Sequence, residues 1–152
     1  MRCRYFILVA SFCLGLCVHS EPQAKILKVL EHRLDQQGRI ALAPSLYERD
    51  AYQAFLRHNP SKCSGVRFDI HWRARRLMSP NLSLKLEAIT TKRSKASPLV
   101  LQSPAIPRRY WSRWSALRLD GKTFEEAGEV IAWRATLWDG DKLLAEQKSF
   151  LW

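Results

Sequence analysis

Cys63 and His58 flank Asn59-Pro60-Ser61-Lys62, and Asp69 stands two residues before His71. These are the side chains whose types and spacing could do covalent or proton-transfer chemistry. A cysteine attacks as its thiolate, so a Cys63–His58 dyad would need exposure and an electropositive setting. Asp69 and His71 would share one face of an extended segment, where a carboxylate can orient an imidazole for general acid–base work. Neither pair comes with the rest of a catalytic constellation, since the sequence carries no Gly-rich phosphate loop, no G-x-S-x-G elbow and no acidic metal cluster. His32, His58 and His71 lack the i, i+4 partner or the Cys/His spacing of a zinc site. The expectation is no metal and no cofactor. A small hydrolase or thiol enzyme using Cys63 or His71 is the lesser of two function classes.

Binding is the greater. Arg73-Ala74-Arg75-Arg76, Lys92-Arg93-Ser94-Lys95 and Arg108-Arg109-Tyr110-Trp111-Ser112-Arg113-Trp114 concentrate positive charge in three clusters, two of them close to tryptophans. Rings that stack beside cations that meet anions are the composition of faces that hold anionic ligands. The candidate set is Arg73, Arg75, Arg76, Arg108, Arg109, Trp111, Arg113 and Trp114. The competing account makes the same residues solubilising strand ends around core tryptophans.

The compartment narrows the partner. Met1-Arg2-Cys3-Arg4 is a basic head, residues 5–18 carry no charge, and Val18-His19-Ser20 offers small residues for cleavage before Glu21. The run falls short of the roughly 20 residues that span a bilayer, so residues 1–20 read as a removed signal peptide and 21–152 as one secreted or periplasmic domain. Removal takes Arg2 and Arg4 and no acid, lowering the formal charge from +11 to +9, and takes Cys3, Cys13 and Cys17. Cys63 is then alone and an internal disulfide is impossible. An exported basic protein meets anionic glycans, cell-wall polymers, lipid head groups or other envelope proteins more readily than nucleic acid.

The elements that must position these residues follow from periodicity. Val66, Phe68, Ile70, Trp72 and Ala74 alternate with Arg67, Asp69, His71, Arg73 and Arg75, a strand with one wet face. Leu82, Leu84, Leu86 and Ala88 alternate in the same way with Ser83, Lys85, Glu87 and Ile89. Residues 24–42 read as a strand or strand pair, although 25–34 also fits a helix. Pro98 and Pro104 mark a short edge strand at 98–102. A further strand runs from the Arg108 region to Asp120-Gly121, followed by one helical turn closed by Gly128. Ser45 and Glu48 have capping-box spacing, and Tyr47, Ala51, Ala54 and Phe55 recur at helical intervals, predicting a helix near 45–58 with that stripe buried.

The last stretch predicts a hairpin at Asp139-Gly140-Asp141. An even loop would turn Glu146 and Lys148 into the core, so the expected register is odd. It sets Leu137 against Leu143, Ala135 against Ala145, Trp133 against Gln147 and Ile131 against Ser149, with Leu151 on the same buried face and Arg134 meeting Glu146 outside. Six to eight short strands without strand–helix alternation predict a mainly β chain. The expected fold is an antiparallel two-layer β-sandwich with one inserted helix, resembling immunoglobulin and fibronectin modules in architecture only. The inter-sheet cysteine pair of such modules is absent.

Overall fold

Alternating side chains make a strand stable only when a second apolar face covers it, and the chain supplies two such faces. A computed structural model describes residues 24–74, 81–105 and 112–152. Residues 1–20, on which the signal-peptide expectation falls, lie outside that set. The strands are β1 (Ala24–Asp35), β2 (Cys63–Ala74), β3 (Leu82–Thr90), β4 (Leu99–Pro104), β5 (Arg113–Asp120), β6 (Val130–Asp139) and β7 (Lys142–Lys148), with helices α1 (Leu46–His58) and α2 (Gly121–Ala127). The chain is mainly β, and its strands form two antiparallel sheets. One has the order β1-β2-β5 and the other β4-β3-β6-β7. No helix among the described residues is long and apolar enough to cross a membrane.

The two sheets bury one core. Val66, Phe68, Ile70 and Trp72 from β2 meet Leu82, Leu84 and Leu86 from β3 and Ala135 and Leu137 from β6, all nearly inaccessible to water. Each large apolar side chain so buried contributes about 1.5–3 kcal/mol of transfer free energy. The indole N–H of Trp72 donates to Ser115 Oγ at 2.9 Å, so its one polar atom is satisfied within the core. At the margins β1 lies beside β7 and β5 beside β4.

Residues 24–35 form one strand. Ile40 and Leu42 do not extend it into a strand pair, because the chain reverses at Gly38 (φ 72°) and runs irregularly into α1. Ser45 caps α1, its Oγ accepting from Glu48 N at 3.5 Å. The predicted buried stripe is wrong, however. Tyr47 is 83% and Phe55 46% exposed, and the buried residues are Gln53 and Leu56. The helix docks by polar anchoring to the free edge of β1. Gln53 Oε1 accepts from Arg33 N at 2.7 Å, while its Nε2 donates to the carbonyls of Arg33 at 2.9 Å and Ile40 at 2.8 Å. A glutamine thus closes the backbone of an edge strand that would otherwise be left open. Tyr52 hydroxyl adds a bond to Asp35 at 2.9 Å. Asp35 also accepts from the backbone N–H groups of Gln37 and Arg39 and from Arg39 Nε. A second helix, α2, is longer than the single turn expected, and ends at Gly128 (φ 78°).

The terminal hairpin departs from the expected register by two residues. Asp139 pairs with Lys142 and Trp138 with Leu143. A bulge then intervenes, so that Leu137 pairs with Ala145, Ala135 with Gln147 and Arg134 with Lys148. The loop is therefore even, and the bulge restores the parity that an even loop would have lost, keeping Glu146 and Lys148 off the buried face. A second irregularity opposite Ile89 and Thr90 turns Ile131 outward, to 50% exposure. Ser149 lies against Trp133, accepting from its N–H through Oγ at 3.0 Å and donating its own N–H to its carbonyl at 2.9 Å. Leu151 is 65% exposed and does not join the core.

Arg134 still reaches Glu146, diagonally, with Nε at 2.9 Å. That pair is part of a ladder across three strands. Lys85 meets Glu87 at 3.1 Å, Glu87 meets Arg134 at 3.6 Å, and Glu146 meets Lys148 at 3.2 Å. The outer face of the four-stranded sheet is thereby laced by charges of alternating sign.

Candidate functional site

Among the candidate binding residues, Arg75, Arg76, Arg108, Arg109 and Trp111 lie outside the described set. Arg73, Arg113 and Trp114 are within it. β2 ends and β5 begins at the same end of the three-stranded sheet, where Trp72 pairs with Arg113 and His71 with Trp114. Arg73 of the first basic cluster and Arg113 and Trp114 of the third therefore lie on adjacent strands. The second cluster is elsewhere. Lys92, Arg93 and Lys95 follow Thr90 at the opposite end, where Lys92 Nζ donates to Glu125 O at 2.8 Å and Lys95 sits 5.5 Å from the Trp152 ring.

Arg113 and Trp114 are consecutive on β5 and so face opposite ways. Arg113 is on the Trp72 side, facing the core, and Trp114 is on the outer face, half exposed. The indole of Trp114 stacks on His71 with ring centroids 4.6 Å apart and planes 7° from parallel. His71 Nε2 shares a 2.6 Å hydrogen bond with Ser112 Oγ. Across β2, Lys28 pairs with His71 and Lys25 with Arg73, so the outer face carries Lys25, Lys28, Arg73, His71 and Trp114 together. The nearest acid along β2 is Asp69, and it is already engaged by Arg67 at 2.7 Å and by His32 at 3.7 Å. Lys25, Lys28 and His71 were missed in the sequence as members of this group. Their signal was strand pairing, which the alternation of a single strand does not carry.

This patch occupies one half of the outer face of the three-stranded sheet. The other half holds His32, buried near Asp69, and Leu34, fully buried, with α1 alongside β1. Burial, above all, pulls His32 below its ordinary pKa, against the opposing pull of Asp69. A fixed aromatic plane, a hydrogen-bonded imidazole and flanking ammonium and guanidinium groups can hold a planar or ring-shaped ligand that bears negative charge.

The structure does not bring Cys63 and His71 together. They lie eight positions apart along β2 and so roughly 26 Å apart. Cys63 is buried, and its Sγ points to the carbonyls of Leu56 at 3.3 Å and Asn59 at 3.8 Å. Burial pushes the thiol up, more than the nearby Arg33 guanidinium lowers it, so it remains protonated at neutral pH. His58 Nδ1 bonds within its own helix to Ala54 O at 2.8 Å. Asp69 and His71 share the wet face of β2 as expected, but Asp69 is held by Arg67 and His71 by Ser112 and Trp114. Among the described residues, no three of His, Cys, Asp and Glu are grouped as a metal would require. No family model, curated protein or solved structure matches the chain.

Proposed function

We propose that the protein is an exported, non-catalytic β-sandwich of immunoglobulin- or fibronectin-like architecture, secreted or periplasmic after loss of residues 1–20, that binds an anionic glycan or cell-wall polymer. The three-on-four strand order, with α1 inserted between the first two strands, supports the architectural part. The observation that carries the binding part is the Trp114–His71 stack, half open to solvent and flanked by Lys25, Lys28 and Arg73 on one sheet face. Exposed indole area that is held rigid gives contact at low entropic cost, and clustered cations raise the local concentration of anions.

The test is retention on immobilised heparin. Lys25→Gln, Lys28→Gln and Arg73→Gln combined should elute at much lower salt than Lys92→Gln, Arg93→Gln and Lys95→Gln combined, although both triples remove the same charge. Trp114→Ala should lower retention without changing net charge. Equal loss from the two triples would leave only nonspecific attraction and refute the site. Co-sedimentation with phosphatidylglycerol vesicles that exceeds heparin binding would transfer the reading to lipid head groups.

A further inference from the structure

A recess of about 560 Å³ opens on the four-stranded sheet, lined by Asn81, Leu82, Ser83, Gln102, Ser103, Pro104, Gly140 and Asp141. The geometry points to this recess as a binding site for a neutral sugar ring, separate from the cationic face.

Its walls are set by backbone bonds before any ligand arrives. Gly140 N donates to Asn81 O at 3.4 Å, tying the β6–β7 hairpin tip to the start of β3, and Ala105 N donates to Leu82 O at 2.8 Å, tying down the far wall. Gly140 has φ 55°, which lets the tip turn tightly at this rim. Ser83 pairs with Pro104 on one side and Trp138 on the other, and Lys85 pairs with Gln102, so Ser83 and Gln102 are diagonal neighbours on one outer face.

The lining selects the ligand class. Among the described residues its lining side chains offer hydroxyls, carboxamides and one carboxylate, Asp141, and no cation. An anion would meet Asp141 without a compensating charge, and a divalent cation would find a single carboxylate where several oxygen ligands are needed. A purely apolar ligand would strip water from hydroxyl and amide groups and return no hydrogen bonds. A polyhydroxylated ring satisfies both kinds of group: its hydroxyls donate to Asp141 and the amide oxygen of Gln102, and accept from Ser83 and the amide nitrogen. Pro104, exposed and paired with Ser83, provides the small apolar contact that the C–H face of such a ring takes. The site is open, so water bridges part of the contact.

The experiment is ¹H–¹⁵N correlation spectroscopy of the full protein titrated with maltotriose, cellotriose and chitotriose in turn. Saturable shifts are expected with at least one, centred on the amides of Ser83, Gln102, Ser103 and Gly140, with Trp114 and His71 unmoved. The Gln102→Ala/Asp141→Ala variant, altered only at exposed positions, should keep the spectrum of the folded protein and lose the shifts. No saturable shift with any of the three sugars overturns the proposal, and so do shifts that persist in the double variant. Because heparin retention reads a different face, failure here leaves the cationic site standing, and the converse also holds.

Discussion

Gln53→Ala is the most informative single change in the scaffold. Gln53 makes three hydrogen bonds to backbone, all between 2.7 and 2.9 Å, two of them with Arg33 on the free edge of β1. At about 1 kcal/mol net for each bond, the loss is roughly 3 kcal/mol, offset by a few tenths because alanine is the better helix former. The expected cost of about 2–3 kcal/mol is a large share of a stability of roughly 5–15 kcal/mol. Urea unfolding followed by tryptophan fluorescence should show the midpoint falling by roughly 1–2 M at an unchanged slope. Gln53→Glu keeps the acceptor for Arg33 N but turns a carboxylate oxygen toward two carbonyls, so it should cost more than alanine despite its closer shape. A midpoint for Gln53→Ala within about 0.3 M of wild type would show that solvent serves the β1 edge equally well. The polar docking of α1 would then be refuted.

Four further outcomes follow from described contacts. A Cβ at Gly65 would collide with the Leu119 carbonyl oxygen and with Asp120 Cβ at 2.8 Å, where β2 meets β5, so Gly65→Ala should destabilise by about 1–3 kcal/mol in the same urea assay. A double-mutant cycle between Arg134 and Glu146 should give a coupling of about 0.2–1 kcal/mol even though Arg134 is paired with Lys148 in register; zero coupling would count against the diagonal bond. The pH dependence has a defined sign. His32 is pulled below its ordinary pKa mainly by burial, so the unfolded chain binds its proton more readily. Stability should be complete above about pH 6.5 and fall as pH drops through that value, a decline that His32→Gln should flatten. At Asp35, burial raises the pKa but hydrogen bonds from Arg39, Tyr52 and Gln37 outweigh it and hold it low. That contribution is present above about pH 3.9 and is lost as pH falls through the folded value; Asp35→Asn should lack this loss in acid melts.

β2 and β3 were legible from alternation alone, because each has one wholly buried and one wet face. The inward side of α1 was not, because a 3.6-residue apolar stripe says nothing about hydrogen bonds to a strand edge. The side chains that anchor the helix, Tyr52 and Gln53, have partners that lie 17 and 20 residues earlier. The hairpin failed for a related reason: charge placement fixed the parity correctly, yet a loop with a bulge and a longer loop give the same parity at different registers. As for the site, the basic residues were visible but the meeting of β2 and β5 that sets Arg73, His71 and Trp114 on one face was not. It depends on Trp72 pairing with Arg113 across 41 residues of chain, a long-range fact that no local pattern encodes.

The ladder of Lys85, Glu87, Arg134, Glu146 and Lys148 places three cations and two anions within contact of one another on the outer face of the four-stranded sheet. The five charges sum to nearly zero, while the outer face of the three-stranded sheet carries Lys25, Lys28 and Arg73 side by side. Among the described residues this asymmetry amounts to an electric dipole across the two sheets. Near an anionic polymer that dipole exerts a torque, turning the Trp114 side toward the polymer before any contact forms. Reversing Glu87 or Glu146 would add charge yet shrink the moment, so a more basic protein would arrive less well oriented.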